Sequence, residues 1–234
     1  MVQAPKQSIS IGAYGWRHKH WLTSFYPDDL PEDWQLTFYS NEFNAVMVPS
    51  VYWSEHSIVN TIVDCEQWLD SVHDNFDFYV QCQAEMFDVL PAEEILDQLK
   101  ILRPQLAALV FDGDERELHD DIKTQIIALA ESLEVELIGI NLDAGGSAVW
   151  REIDDSPLQP GLQPSAQQRC SKLACIENEL TDMRMVRIMF ERFASQFISR
   201  DTEQGSGACI IVNHPLLQAR NISSARAVLE IMGY

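Results

Sequence analysis

Ten residues near the start, GAYGWRHKHW from Gly12 to Trp21, hold two Trp, one Tyr, two His, one Arg and one Lys. Aromatic rings stack on the faces of sugars and bases, a guanidinium grips carboxylate or phosphate, and imidazoles hold or move protons. No further Lys or Arg follows Lys19 until Lys100. More chemistry-bearing residues lie downstream. Arg187 stands inside the apolar run MRMVRIM, where an unpaired charge is costly. His214 follows Asn213 at the end of the apolar run ACIIV and is placed to act as a base. Asp143 follows the run VELIGINL, and Gln81 and Tyr52 stand at the ends of two earlier runs.

Other groupings are weaker. Asp112-x-Asp114 lacks a full calcium-loop pattern and reads as a solvated acidic loop. His18-x-His20 is a two-His pair for which spacing nominates no third ligand, so no metal is expected. There is no G-x-S-x-G, Walker loop, H-E-x-x-H or G-x-G-x-x-G, and no cofactor is called for.

These residues need elements to position them. Short apolar β-type runs occur at Ser8–Gly12, Ala45–Val51, Phe76–Cys82, Ala107–Phe111, Val135–Leu142, Met183–Met189 and Ala208–Val212. Helical patterns lie between them at Ser57–Val72, Ala92–Leu102, Asp120–Leu133 and Ser224–Met232, the last capped by Ser223 or Ser224. Alternating strand and helix predicts a parallel sheet with crossover helices. The strand number points to an α/β fold, a TIM-like (β/α) barrel formed by residues 1–234 as one domain. Gly145–Gln168, rich in Gly, Pro, Ser and Gln, reads as loop, and one βα unit is short or absent there.

Composition narrows the partners. The chain has 234 residues and a formal charge of −20, with 46% apolar residues, enough for a real core. Such acidity argues against nucleic acid and anionic membranes. Five Cys with no C-x-x-C indicate neither a disulfide framework nor a zinc knuckle, and reduced thiols in a cytoplasmic protein fit best. MVQAPKQSIS has no apolar core, so no secretory signal is expected, and no run is long enough to span a membrane. Nothing sets the oligomeric state.

With the strands placed, a resemblance emerges. Gly12, Gly15 and Trp16, then Phe25-Tyr26-Pro27, Phe43-Asn44-Ala45-Val46, Val51-Tyr52-Trp53 and Phe78-Tyr79-Val80 resemble the domain of unknown function 72 family, the YecE-like proteins. Val186-Arg187 and Val212-Asn213-His214, with Ala225, are similar to its closing elements. The resemblance implies a TIM-barrel-like fold and no settled reaction. Where the family usually has a Glu in its second strand and a Lys ending its third, this chain has Met47 and Gln81. The family's Pro-rich segment after the fourth strand and its Glu-x-Arg-His pattern at the fifth are not evident either.

In a parallel barrel, ligands sit at the C-terminal strand ends. That rule nominates Trp16, His18, Tyr52, Gln81, Arg187 and Asn213 as ligand-binding residues and His214 and Asp143 as catalytic ones. Trp16 would stack, Arg187 would hold an anion, and His214 or Asp143 would move protons. Two functions stay open. One is binding of, or action on, a small anionic or polyhydroxy, phosphosugar-like compound at the barrel mouth. The other is a catalytically degenerate barrel whose acidic surface meets a partner protein, motivated by Met47 and Gln81.

Overall fold

A computed structural model describes residues 8–54, 58–111, 118–139, 147–151, 169–198 and 207–234. Eight strands form a curled parallel sheet: β1 (Ile9–Tyr14), β2 (Ala45–Val48), β3 (Asp77–Cys82), β4 (Leu106–Phe111), β5 (Glu136–Ile138), β6 (Ser147–Arg151), β7 (Arg169–Ile176) and β8 (Ala208–Val212). Each strand pairs with the next, and β8 pairs with β1 from Ile9↔Ala208 to Ala13↔Val212, so the ladder closes. Among the described residues the circuit is thinnest at β5–β6, where Ile138↔Ser147 is the single matched pair.

The α-helices are α1 (Gln35–Glu42), α2 (Val51–Ser54), α3 (Ile58–Asp70), α4 (Glu85–Val89), α5 (Ala92–Leu102), α6 (Asp120–Leu133), α7 (Met183–Ile198) and α8 (Ala219–Met232), with short 3-10 turns at Lys19–Thr23, Glu32–Trp34 and Arg103–Gln105. Among the described residues no helix is long and apolar enough to cross a membrane.

Strand alternation divides the core in two. Outward side chains such as Phe78, Val80 and Ile210 pack under the helices with Trp16, Trp21, Leu99, Phe190 and Phe193. Inward ones, including Met47, Tyr79, Val110, Ile138, Leu173, Cys209 and Ile211, fill the sheet's interior. The strand sequence DFYVQC puts Phe78, Val80 and Cys82 outside and leaves Asp77, Tyr79 and Gln81 as a polar column along the interior.

Gly12 sits where β1 approaches β2 most closely. A Cβ there would lie 1.9 Å from the Ala45 carbonyl oxygen and 3.1 Å from Tyr39 Oη. Tyr39 stitches the same point: its hydroxyl donates to Ala45 O at 2.8 Å and accepts from Ala13 N–H at 2.8 Å. Gly12→Ala is therefore expected to force the strands apart and cost about 1–3 kcal/mol, the usual range for overpacking. The measurement is the urea midpoint against the parent protein; an unchanged midpoint would show that β1 and β2 can separate freely.

Several expectations are corrected. Met183–Met189 is not a strand but the first half of α7. Val186, Met189, Phe190, Phe193 and Ala194 are its buried face, at helical three- and four-residue steps. The Gly145–Gln168 stretch does not lack its strand, because β6 starts at Ser147. What is absent among the described residues is a helix between β5 and β6 or between β6 and β7. The last helix begins at Ala219 after Gln218, not at Ser223 or Ser224. Those two hydroxyls instead bond back to Ala219 O and Arg220 O inside the helix.

Candidate functional site at the strand ends

Gly15, just past β1, has φ +75 and its N–H donates to Met47 O at 2.8 Å. That left-handed residue turns the chain sharply after the strand. Trp16, nominated to stack on a ligand, is 1% exposed and leaves no ring face for one. It packs edge-on against Tyr52 and Trp68 at centroid distances of 5.0 and 5.3 Å. Tyr26 Oη donates to Trp16 O at 2.6 Å, which fixes the turn from below.

Arg17, next in the chain, covers that aromatic pair. Its guanidinium lies 5.1 Å above the Tyr52 ring and 5.7 Å above the Trp16 ring. Its Nε has no hydrogen bond among the described residues and stands 3.7 Å from Glu32 Oε1. Tyr52, on α2, accepts the Arg17 N–H at 3.3 Å, and burial raises its phenol's pKa.

His18 lies 4.3 Å from the Trp21 ring and 5.5 Å from His20. Burial, with His20 beside it, lowers its pKa to about 4, while contacts with the Gly15 and Tyr14 backbone oppose the shift. The ring is therefore neutral at pH 7, and its Nε2 is enclosed with no hydrogen-bond partner among the described residues. Trp21 and His20 are structural: indole Nε1–H donates to Leu217 O at 2.7 Å, and His20 Nε2 meets the same oxygen. The opening segment is thus tied to the loop after β8, 196 residues away in sequence.

Across the sheet from this loop lies a chain of neutral polar groups. Gln81 Oε1 accepts Tyr14 Oη–H at 2.6 Å and Ser50 N–H at 3.1 Å. Ser50 Oγ donates to Gln83 Oε1 at 2.6 Å. Three strand ends, β1, β2 and β3, are thereby linked by donors and acceptors with no net charge. Met47, at the register position opposite Tyr14, is buried beneath them.

On the far side, Asn213 follows β8 at the inward alternation of Cys209 and Ile211, and its N–H donates to Ile176 O at 2.8 Å. His214 Nδ1 accepts Leu216 N–H at 3.2 Å and lies 3.9 Å from Glu179 Oε1. Glu179 is aimed by a tight turn. Leu180 has φ 55, an unusual left-handed value for a branched side chain, and its N–H donates to Asn178 Oδ1 at 2.8 Å. Asn221 Nδ2 holds Glu179 O at 2.8 Å.

The structure thus places Trp16, His18, Tyr52, Gln81, Asn213 and His214 at the C-terminal end of the sheet. Arg187 is not there. It lies on the outer face of α7, its side chain 66% exposed, paired with Glu191 at 2.8 Å one turn along the helix. Asp143, like Asn141, Asp112 and Asp114, lies outside the described residues. Ser50 and Glu179 join the site although neither stands out in sequence. Both sit just past a strand, and that position was the available signal.

The comparisons follow the fold. Residues 10–116 match the family model described as protein of unknown function DUF72. No curated protein matches the chain. D-psicose 3-epimerase, solved in the presence of D-fructose, is 9% identical with a TM-score of 0.50, covering 95% of this chain and 97% of that one. A DUF72 family protein from Enterococcus faecalis V583 is 9% identical with a TM-score of 0.45, covering 97% and 98%. Ruminococcus gnavus sialic acid aldolase, also 9% identical, gives a TM-score of 0.38 and covers 97% and 78%. The epimerase likeness speaks to the fold alone. The match over residues 10–116, just under half of the chain, takes in Gly12, Gly15, Trp16 and the strand ends through Gln83, and over that stretch the chain is similar to the DUF72 family.

Proposed function

We propose that the chain is a TIM-like barrel that binds a neutral polyhydroxy compound, a sugar or sugar-like polyol, at the C-terminal end of its sheet. The observation that carries this reading is the uncharged relay Tyr14–Gln81–Ser50–Gln83 at three adjacent strand ends. Hydroxyl and amide groups match sugar hydroxyls, which both donate and accept. An anionic ligand is less well served. Arg187 is on the outer surface, and Arg17 is already engaged with two rings and Glu32. That the fold is shared with an epimerase solved with D-fructose supports the same class. With Nδ1 accepting the Leu216 N–H, His214 carries its proton on Nε2 and is the group that would donate to a bound polyol, and Asn213 beside it supplies an amide.

The test is a thermal-shift panel of D-fructose, D-psicose, D-glucose and the 6-phosphate esters of fructose and glucose, repeated on Asn213→Ala and Arg187→Ala. A ligand at about 100 times its Kd adds roughly 2.7 kcal/mol. The expected result is a raised midpoint with a neutral sugar that Asn213→Ala loses and Arg187→Ala keeps. A panel in which only the phosphate esters act, with the effect lost in Arg187→Ala, would overturn the reading.

A further inference from the structure

Among the described residues, the opposite end of the sheet is not closed. A cavity of about 570 Å³ opens between the N-terminal strand ends and the last turns of α8. Its lining includes Ser10, Asp77, Tyr79, Ala108, Glu136 and Arg226. That volume suits a small organic molecule and far exceeds a bare ion.

Charge in the cavity is unbalanced. Arg226 is committed elsewhere, with Nη1 on Glu42 O and Nε 3.8 Å from Glu230 Oε1. Among the described residues, neither the Asp77 nor the Glu136 carboxylate has an ion-pair or side-chain hydrogen-bond partner. Asp77 is partly buried, and burial raises its pKa. A partly buried carboxylate without a counter-charge destabilises the fold unless something cationic comes to it. Nor do the two acids stand apart: Asp77 and Glu136 both act electrostatically on the buried Tyr79 phenol.

Register explains the geometry. Tyr79 pairs with Ala108, and Ala108 with Glu136, so the three lie in one row across β3, β4 and β5. Ala108 is small, which leaves a gap between the flanking side chains. Asp77 stands two residues before Tyr79 on the same inward face. The carboxylates thus approach from strands two spacings apart, roughly 10 Å of backbone separation before the side chains reach inward. The carboxyl end of the α8 dipole, near Leu229 and Glu230 on the wall, adds partial negative charge. Among the described residues no three His, Cys, Asp or Glu side chains converge as metal ligands.

We propose that this cavity is a second binding site, separate from the sugar-binding end, that takes a small aliphatic diamine with one ammonium on Asp77 and the other on Glu136. Tyr79 and Ser10 also line this cavity.

The test is calorimetric titration of the full chain with 1,4-diaminobutane, at fixed ionic strength, with 1,4-butanediol and magnesium chloride as matched probes. The expected result is saturable binding of the diamine only. Asp77→Asn and Glu136→Gln should each weaken it at least tenfold, and Glu131→Gln, on exposed α6, should leave it unchanged. Asp77→Asn should also raise the thermal midpoint without ligand, because an unpaired charge is removed, and that shows the variant is folded. No diamine binding, equal binding by the diol or magnesium, or full affinity in both site variants would overturn the proposal. Asn213→Ala separates the two sites: it should keep diamine binding whether or not the sugar reading holds.

Discussion

Trp21→Ala is expected to unfold at a markedly lower urea concentration than the parent, with about 3–5 kcal/mol of stability lost and the slope of the transition unchanged. The indole is 0% exposed, and truncation leaves a cavity that packed neighbours refill only in part. It contacts His18 and Phe25 at 4.3 and 5.2 Å and stacks on Tyr39 at 6.2 Å. It also gives up its hydrogen bond to Leu217 O, which joins the loop after β1 to the loop after β8. Trp34 is the internal control. At 58% exposed, its replacement by alanine is expected to change stability by less than about 0.5 kcal/mol. Equal losses at Trp21 and Trp34 would contradict the assignment of the opening cluster to the core.

The second large effect is a pH dependence carried by His18. Its folded-state pKa is about 4 against an ordinary value of 6.5, first because it is buried and second because His20 is near. Between those two values the unfolded chain binds a proton that the folded chain refuses. Stability is therefore fully present above the unfolded value and falls as pH drops through this window. The shift corresponds to roughly 3 kcal/mol across it. Many carboxylates titrate nearby, so the quantity to measure is the difference between the parent and His18→Gln in urea midpoints at pH 7.5 and pH 4.5. The parent should lose more. Parallel losses would mean that the imidazole stays hydrated. Trp21→Ala should also shrink the difference, since it opens the wall against which His18 is packed.

How much of this was legible in the sequence depended on what each segment had to satisfy. β1 to β4 and β8 were visible because buried parallel strands are apolar on both faces and end at polar or turn residues. α5 and α6 were read at their observed limits, Ala92–Leu102 and Asp120–Leu133, from three- and four-residue periodicity. α7 is hidden in sequence because MRMVRIM alone looks like an apolar strand, and only Phe190 and Phe193 beyond it complete the helical stripe. A strand there carries Arg187 into the site, since a charge in a buried strand demands a partner whereas one on a helix surface pairs with Glu191 along the helix. β6 and β7 were missed because SAVWR is short and RCSKLACI mixes charges into its first half. Tyr52, Gln81, Asn213 and His214 do lie at or just past the ends of their strands, Tyr52 and Gln81 on one side of the sheet and Asn213 and His214 on the other. The basic and aromatic opening segment, by contrast, turned out to be mostly core, with Trp16 and Trp21 buried and Arg17 lying over the rings. The polar column Asp77, Tyr79 and Gln81 was readable from strict alternation in DFYVQC, but only the closed ladder shows that this face points inward.

The most direct measurement is the NMR response of the histidine rings to the neutral sugar that raises the thermal midpoint most. At saturation the His214 ring signals should move, with smaller changes at His18, while His73, next to the start of β3 at the opposite end, stays fixed. Saturation with unmoved His214 and His18 signals, or with the response confined to His73, would contradict a sugar site at the C-terminal end of the sheet.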